Sequence, residues 1–231
     1  MSDSSKITAV KITDEAGRQN ALKVLKVIYC NEKNWVGNEE KVFDSSDLTN
    51  PAVSWFLATQ DGEPVGVLRV LYEPPLDLYK EYGFKKLGAS IDVEECVKSL
   101  KIAEIGRFAV LPDRRGNILI VSMLMKQAVK DTIEHGFTHY ITDIFEGEQH
   151  SPYLFHTRVM GFIPVATHDV GELNCPNRRI TMILDLSDCY HRIKNSGSWI
   201  FRTLTADWPQ EIIDKMEASV PLFRCPSKEN K

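Results

Sequence analysis

The chain has 231 residues, 43% hydrophobic and 26% charged, with a formal net charge of −4 at pH 7. That balance is ordinary for a globular protein and excludes a strongly basic surface of the kind that gathers nucleic acid or anionic membrane. No apolar run approaches the roughly 18–20 residues of a membrane span. Residues Met1–Lys6 are polar and lack a secretory core, and Cys30, Cys96, Cys175, Cys189 and Cys225 are scattered without a CxxC pair. Neither a disulfide framework nor a metal site is expected, nor integral membrane association; the expected location is the reducing cytoplasm.

Taken in chain order, residues 14–30 read as a helix, with Ala21, Leu22, Leu25 and Ile28 at helical spacing. The polar stretch Gly37–Asn50 after Trp35 reads as a loop or flap. Ala52–Thr59 and Val65–Leu71 are strands joined by an Asp61-Gly62 turn, the second ending before Pro74-Pro75. Residues 76–100 mix charged and aromatic residues and are a candidate lid. Ile102–Val110 is the central strand, and Asn117–His135 is an amphipathic helix stopped at Gly136. Phe137–Ile144 is a strand, Tyr153–Met160 a short helix ending at Gly161, and Ile163–Ala166 and Arg179–Leu186 are closing strands. Past Ser187 the pattern changes; Pro209–Ser219 is helical and Ser227–Lys231 is a polar tail. The expectation is a single mixed α/β domain over residues 1–231, with a core at about 8–186 and a helical extension at 187–231.

The run Glu104-Ile105-Gly106-Arg107-Phe108-Ala109-Val110-Leu111-Pro112 carries the chemistry. It sets an acid and a base inside an apolar strand, where charges are costly unless paired or used. The turn that follows, Asp113-Arg114-Arg115-Gly116, is basic and opens onto a helix N-terminus, an arrangement suited to phosphate. In a regular strand Glu104 and Arg107, three positions apart, point to opposite faces. A shared site therefore requires a bulge at Ile105–Arg107, and Gly106 is the natural place for it. His135 and His139 share helical spacing, but Gly136 intervenes and no metal pair is expected. No Gly-x-Ser-x-Gly elbow is present. Met123, Met125 and Met160 read as core filler before tunnel lining.

Val110-x-Pro112-x-x-Arg115-Gly116 leading into an apolar helix resembles the acyl-donor motif of the GNAT acyltransferase superfamily, and Gly161-Phe162 resembles its next landmark. The motif ordinarily has two further small residues where this chain has Ile118 and Ile120, which leaves fewer positions for close backbone approach to phosphates. Glu104-x-x-Arg107-Phe108, with Trp35, Asp44, Asp47 and Arg69 in order upstream, resembles the acyl-homoserine-lactone (autoinducer) synthases. Tyr29 stands where that family has an aromatic. His150, Phe155-His156, Val159–Phe162 and the strand Arg179–Leu186 are more similar to the long-chain N-acyl amino acid synthases; His156 falls where an aromatic hydroxyl often stands.

The resemblance implies a GNAT-like fold, with a central mixed, mostly antiparallel sheet flanked by helices and extra C-terminal helices. It also implies an N-acyltransferase that moves an acyl group, expected to be fatty, from acyl-CoA or acyl carrier protein to the amine of an amino acid or related small metabolite. Acyl transfer to an amine needs a base, a polarised carbonyl and an anchor for the acceptor. Glu104 would be the general base, and backbone amides at Phe108, Ala109 and Val110 would meet the carbonyl oxygen. Arg69 and Arg107 would clamp an acceptor carboxylate. Asp44 and Asp47 would bind its ammonium or fix the arginines, and Trp35 would wall the pocket. Arg115, Gly116 and Asn117 would hold the donor phosphates. Neither metal nor redox cofactor is implied. The competing readings are a lactone synthase using S-adenosylmethionine and a non-catalytic acyl-CoA-binding module.

Overall fold

The computed structural model describes residues 6–72, 82–88, 96, 99–148 and 151–220. Most of the expected lid, together with Pro74-Pro75, His150 and the tail, lies outside the described residues. One mixed eight-stranded sheet, in the order β1-β2-β3-β5-β6-β8-β7-β4, organises the chain. Its strands are β1 (Ile7–Lys11), β2 (Val53–Gln60), β3 (Glu63–Leu71), β4 (Lys85–Lys86), β5 (Ile102–Val110), β6 (His139–Phe145), β7 (Ile163–His168) and β8 (Arg179–Asp185). Every neighbouring pair is antiparallel except β5 and β6.

Period-two patterning on the central strands gives the sheet two buried faces. On β2, Trp55 and Leu57 join one core with Val67 of β3 and with Ala21, Leu22 and Leu25 of helix α1 (Glu15–Leu25). Phe56 and Ala58 turn the other way, into the larger core with Val65, Leu68 and Val70 and with Ile120, Leu124 and Ala128 of α2 (Ile118–Glu134). Asp14 caps α1 by accepting from the Gly17 amide at 2.8 Å. The Asp61-Gly62 turn has both residues at positive φ, 53° and 89°, the geometry a tight hairpin requires.

Three departures from the sequence reading bear on the site. The expected helix over 14–30 ends as α-helix at Leu25 and continues as a π-helix, Lys26–Glu32. The second short helix is likewise a π-helix, Phe155–Met160, closed by Gly161 at φ 93°. The Gly37–Asn50 stretch holds two 3₁₀ turns, Glu39–Lys41 and Ser45–Leu48, and is tied down by buried Arg18, which donates to the Phe43 carbonyl at 3.0 and 2.9 Å. After β8 come α3 (Leu186–Asn195), α4 (Trp199–Thr205) and α5 (Gln210–Ala218). Their Tyr190, Leu204, Ile212 and Met216, with Trp208, extend the α2 core.

Candidate active site

The site begins as a parting of two strands. β5 and β6 run parallel and pair only at Ile102–His139, Ala103–Tyr140 and Glu104–Ile141. Beyond Glu104 they separate, and a cleft of about 560 Å³ opens between them. Its apolar wall includes Ile28, Leu68, Ile105, Val121, Met125 and Ile144, with Phe155, Met160 and Phe162 from the second π-helix and the residues after it. Met125 and Met160, expected as core filler, therefore serve both functions: they are buried and they face the cleft. Strand alternation decides which amides face the gap. The Leu111 amide donates to the Val65 carbonyl at 3.0 Å, so the Val110 amide is turned toward the side from which β6 has withdrawn.

The polar centre sits where the strands part. Between β3 and β5 the register slips: Val67 pairs with Ala109, but Arg69 pairs with Gly106. The extra residue lies at Arg107–Phe108, one position later than the sequence suggested, and the left-handed backbone is that of Arg107 itself, at φ 50°, rather than Gly106. A non-glycine residue there costs about 1–2 kcal/mol. The bulge puts Glu104 and Arg107 on the same cleft wall. Arg69 Nη2 donates to Glu104 Oε1 at 2.6 Å, and Arg107 pairs with Glu172 from the loop before β8. The Nε atoms of both arginines are buried without a hydrogen-bond partner.

Burial works against the charge of Arg69, but the attraction of Glu104, Glu172 and Tyr29 outweighs it and its pKa lies above the ordinary arginine value. Burial pushes the Tyr29 hydroxyl up, with Arg107 and Arg69 pulling the other way. Trp35 packs edge-on to Tyr29 and tilted against Phe145, with centroids 5.5 and 4.5 Å apart, and closes the wall above these groups.

At the other end the cleft meets the start of α2. Arg114, Arg115, Gly116, Asn117 and Ile118 line it. Gly116 turns the chain at φ 87°, and Asn117 caps α2 by accepting from the Leu119 amide at 3.2 Å. Arg115 is paired with Glu32 at the end of the first π-helix, and hydrogen bonding to Arg115 is the main cause of the lowered Glu32 pKa. Of the two bulky residues in the turn motif, only Ile118 faces the cleft. Ile120 is buried in the core against β3, so it does not narrow the phosphate end.

Asp44 and Asp47 are not brought to this cleft. Asp44 caps the 3₁₀ turn by accepting from the Ser46 amide at 2.8 Å. Asp47 accepts from Trp55 Nε1 at 2.8 Å beside a separate, smaller hollow. Sequence reasoning missed Glu32, Asp143 and Glu172, all of which touch the cleft or its rim; Tyr82, from the candidate lid, also lines it. Asp143 is held by Thr181, whose hydroxyl donates at 2.7 Å, and by His168 Nε2 at 3.0 Å. The one available signal was the acid Asp143 inside an apolar strand; Glu172 lies in a polar loop and gave none. Among the described residues no group of three or more His, Cys, Asp or Glu side chains could hold a metal ion, and no helix is long and apolar enough to cross a membrane.

Parted central strands, a basic turn ahead of a helix and a charged centre between them define an acyltransferase. The chain belongs to the acetyltransferase (GNAT) family, whose model matches residues 22–162; enzymes of this family take acyl-CoA as cosubstrate. Among solved structures with this fold is FeeM, an N-acyl amino acid synthase from uncultured soil microbes, with a TM-score of 0.63, 13% identity, and coverage of 84% of this chain and 98% of that one. The ribosomal-protein-alanine N-acetyltransferase of Brucella melitensis aligns with a TM-score of 0.54 and 16% identity over 78% of this chain and 99% of its own. An aminoglycoside 6'-acetyltransferase type Ii gives 0.53 and 15% over 78% and 97%. No curated protein sequence matches the chain significantly.

Proposed function

We propose that the protein transfers a fatty acyl group from acyl-CoA or an acyl carrier protein to the amine of an amino acid or a related small metabolite. The observation that carries this reading is the cleft itself. Its lining joins Arg115, Gly116 and the polar centre to an apolar set that includes Ile105, Val121, Met125, Ile144 and Met160. A two-carbon acyl group needs no such apolar lining. A long chain does, and burying it stabilises the complex by about 0.8 kcal/mol per methylene.

In this reading the donor phosphates lie on Arg115 and the first turn of α2, and the pantetheine arm lies between β5 and β6. The thioester carbonyl accepts from the Val110 amide. Glu104, directly or through water, takes the proton from the attacking amine, and its pairing with Arg69 fixes the carboxylate. Arg107 holds the acceptor carboxylate. Attack forms a tetrahedral intermediate whose collapse expels the thiol. The likeness to FeeM agrees with an amino acid acceptor.

The test is incubation with acyl-CoA and acyl carrier protein donors from two to sixteen carbons, against amino acids and S-adenosylmethionine, read by mass spectrometry. N-acyl amino acids with long chains are expected. Release of methylthioadenosine, or products only from acetyl-CoA, would overturn the assignment.

A further inference from the structure

Among the described residues four carboxylates line the cleft: Glu104, Asp143, Glu148 and Glu172. Three of them are fixed, Glu148 by its pairing with Lys33. Glu104 is gripped by Arg69 at 2.6 Å, and Asp143 by Thr181 and His168 at 2.7 and 3.0 Å. Glu172 differs. Its side chain is 48% exposed and its pairing is with Arg107, whose side chain is only 13% exposed.

The backbone beneath Glu172 is nevertheless anchored on both sides. Buried Arg179 donates to the Asp169 carbonyl at 3.0 Å and to the Leu173 carbonyl at 2.7 Å. A Cβ at Gly171 would lie 2.6 Å from Arg179 Nε, so the loop closes around that guanidinium. The Asn174 amide donates to the Trp35 carbonyl at 3.1 Å, which ties the loop to the cleft wall. An exposed carboxylate on an anchored loop thus faces a nearly buried arginine whose Nε has no hydrogen-bond partner.

We propose that Glu172 is an acceptor-binding residue and that the Arg107–Glu172 pair opens around a zwitterion, Arg107 taking the carboxylate and Glu172 the ammonium. The assignment rests on the acyl-transfer reading above and names its acceptor class, a free α-amino acid head group. One ion pair is exchanged for two, so no net charge is buried. A carboxylate without an amine leaves Glu172 displaced and unpaired, and an amine without a carboxylate leaves Arg107 unpaired in a half-closed cleft. Both are rejected by the penalty on the orphaned charge.

The experiment is isothermal titration calorimetry of the full chain against the twenty proteinogenic amino acids and S-adenosylmethionine. The best binder is then compared with its carboxylate-only and amine-only analogues, on wild type and on Glu172→Gln. The wild type is expected to bind the zwitterion at least ten-fold more tightly than either analogue. Glu172→Gln is expected to lose at least ten-fold for the zwitterion and to bind the carboxylate-only analogue more tightly. Unchanged or tighter zwitterion binding by Glu172→Gln, or no amino acid bound by the wild type, overturns the assignment. Acyl transfer is followed in parallel. The expected binding without transfer overturns the catalytic reading and leaves Glu172 as an acceptor ligand; transfer with unaltered affinity in the variant overturns only the role of Glu172.

Discussion

Ile120 of α2 packs into the space left by Gly66 of β3: its Cγ2 lies 3.1 Å from where a Cβ at Gly66 would stand. Leu124 Cδ1 is 3.2 Å away and the Ala109 carbonyl oxygen 3.3 Å. The bulk at position 120 is thus matched by a missing side chain across the sheet, which is why it does not crowd the turn ahead of α2. Gly66→Ala is expected to destabilise the fold by about 1–3 kcal/mol, because the Ala109 carbonyl belongs to β5 and cannot yield. In an Ile120→Ala background, which lacks the Cγ2 atom, Gly66→Ala is expected to cost less. Urea denaturation of both single variants and the double variant measures the coupling, and additive effects would refute the contact.

Removing the base separates chemistry from binding. Glu104→Gln keeps the shape of the side chain and a hydrogen-bond acceptor for Arg69. The acyl-transfer kcat is expected to fall by about 10²–10⁴-fold, the usual contribution of a positioned base, with the donor KM little changed. Steady-state kinetics with the donor varied checks this. A kcat within three-fold of wild type would remove Glu104 from the proton path.

Arg107 combines an unfavourable backbone with a useful side chain. Asparagine tolerates the left-handed region at φ 50° better than arginine does. Arg107→Asn is therefore expected to fold with stability within about 1 kcal/mol of wild type while the acceptor KM rises about ten-fold or more, the loss of one charge-assisted pair. Thermal denaturation and acceptor kinetics on the same sample give both values. A large loss of stability would show that the bulge depends on the guanidinium.

Glu32 occupies the guanidinium that the donor phosphates are proposed to use. Arg115→Ala is expected to raise the acyl-CoA KM several-fold and flatten its salt dependence. Glu32→Gln, which releases Arg115, is expected to lower it. Each shift corresponds to about 1 kcal/mol for a part-exposed pair. KM values measured from low to high ionic strength test the pair together; a rise in KM in both variants would mean that Glu32 supports the turn instead of competing with phosphate.

The central strand, the long α2 helix and the hairpin were legible because their patterning is local: β5 runs over Ile102–Val110 as the sequence indicates. The same holds for the cleft residues within that segment; Trp35 reaches the cleft through Tyr29, near it in the chain, and Phe145, far from it. Strand β1 was missed because only Ala9 is fully buried in it and Val10 is exposed, so its pattern is weak. The π-helical turns were illegible because one extra residue per turn leaves no compositional mark. Asp44 and Asp47 carried the right residue types at a suggestive spacing, yet capping and the Trp55 indole claim them locally. Glu172 was invisible because its place depends on Arg179 folding the loop back over β5, a tertiary fact with no sequence period.

Burial of His156 gives the fold a pH dependence with a defined sign. The ring lies in the wall of the cleft, and its Nδ1 is 2.9 Å from the Pro152 carbonyl oxygen. Desolvation pushes its pKa below the ordinary 6.5, with the Pro152 bond opposing. The unfolded chain then binds a proton near pH 6.5 that the folded chain still refuses, so between the two values the unfolded state holds more protons and stability rises with pH. The contribution of His156 is complete above pH 6.5 and is lost as the pH falls from there through the folded value. His139, lowered by burial against the opposing charge of Asp185, adds a slope of the same sign. Melting temperatures from pH 5 to 7.5 are expected to climb in the wild type and to climb less steeply in His156→Gln, which cannot titrate. An identical slope in the variant would show that His156 is protonated in the folded state as readily as in the unfolded chain.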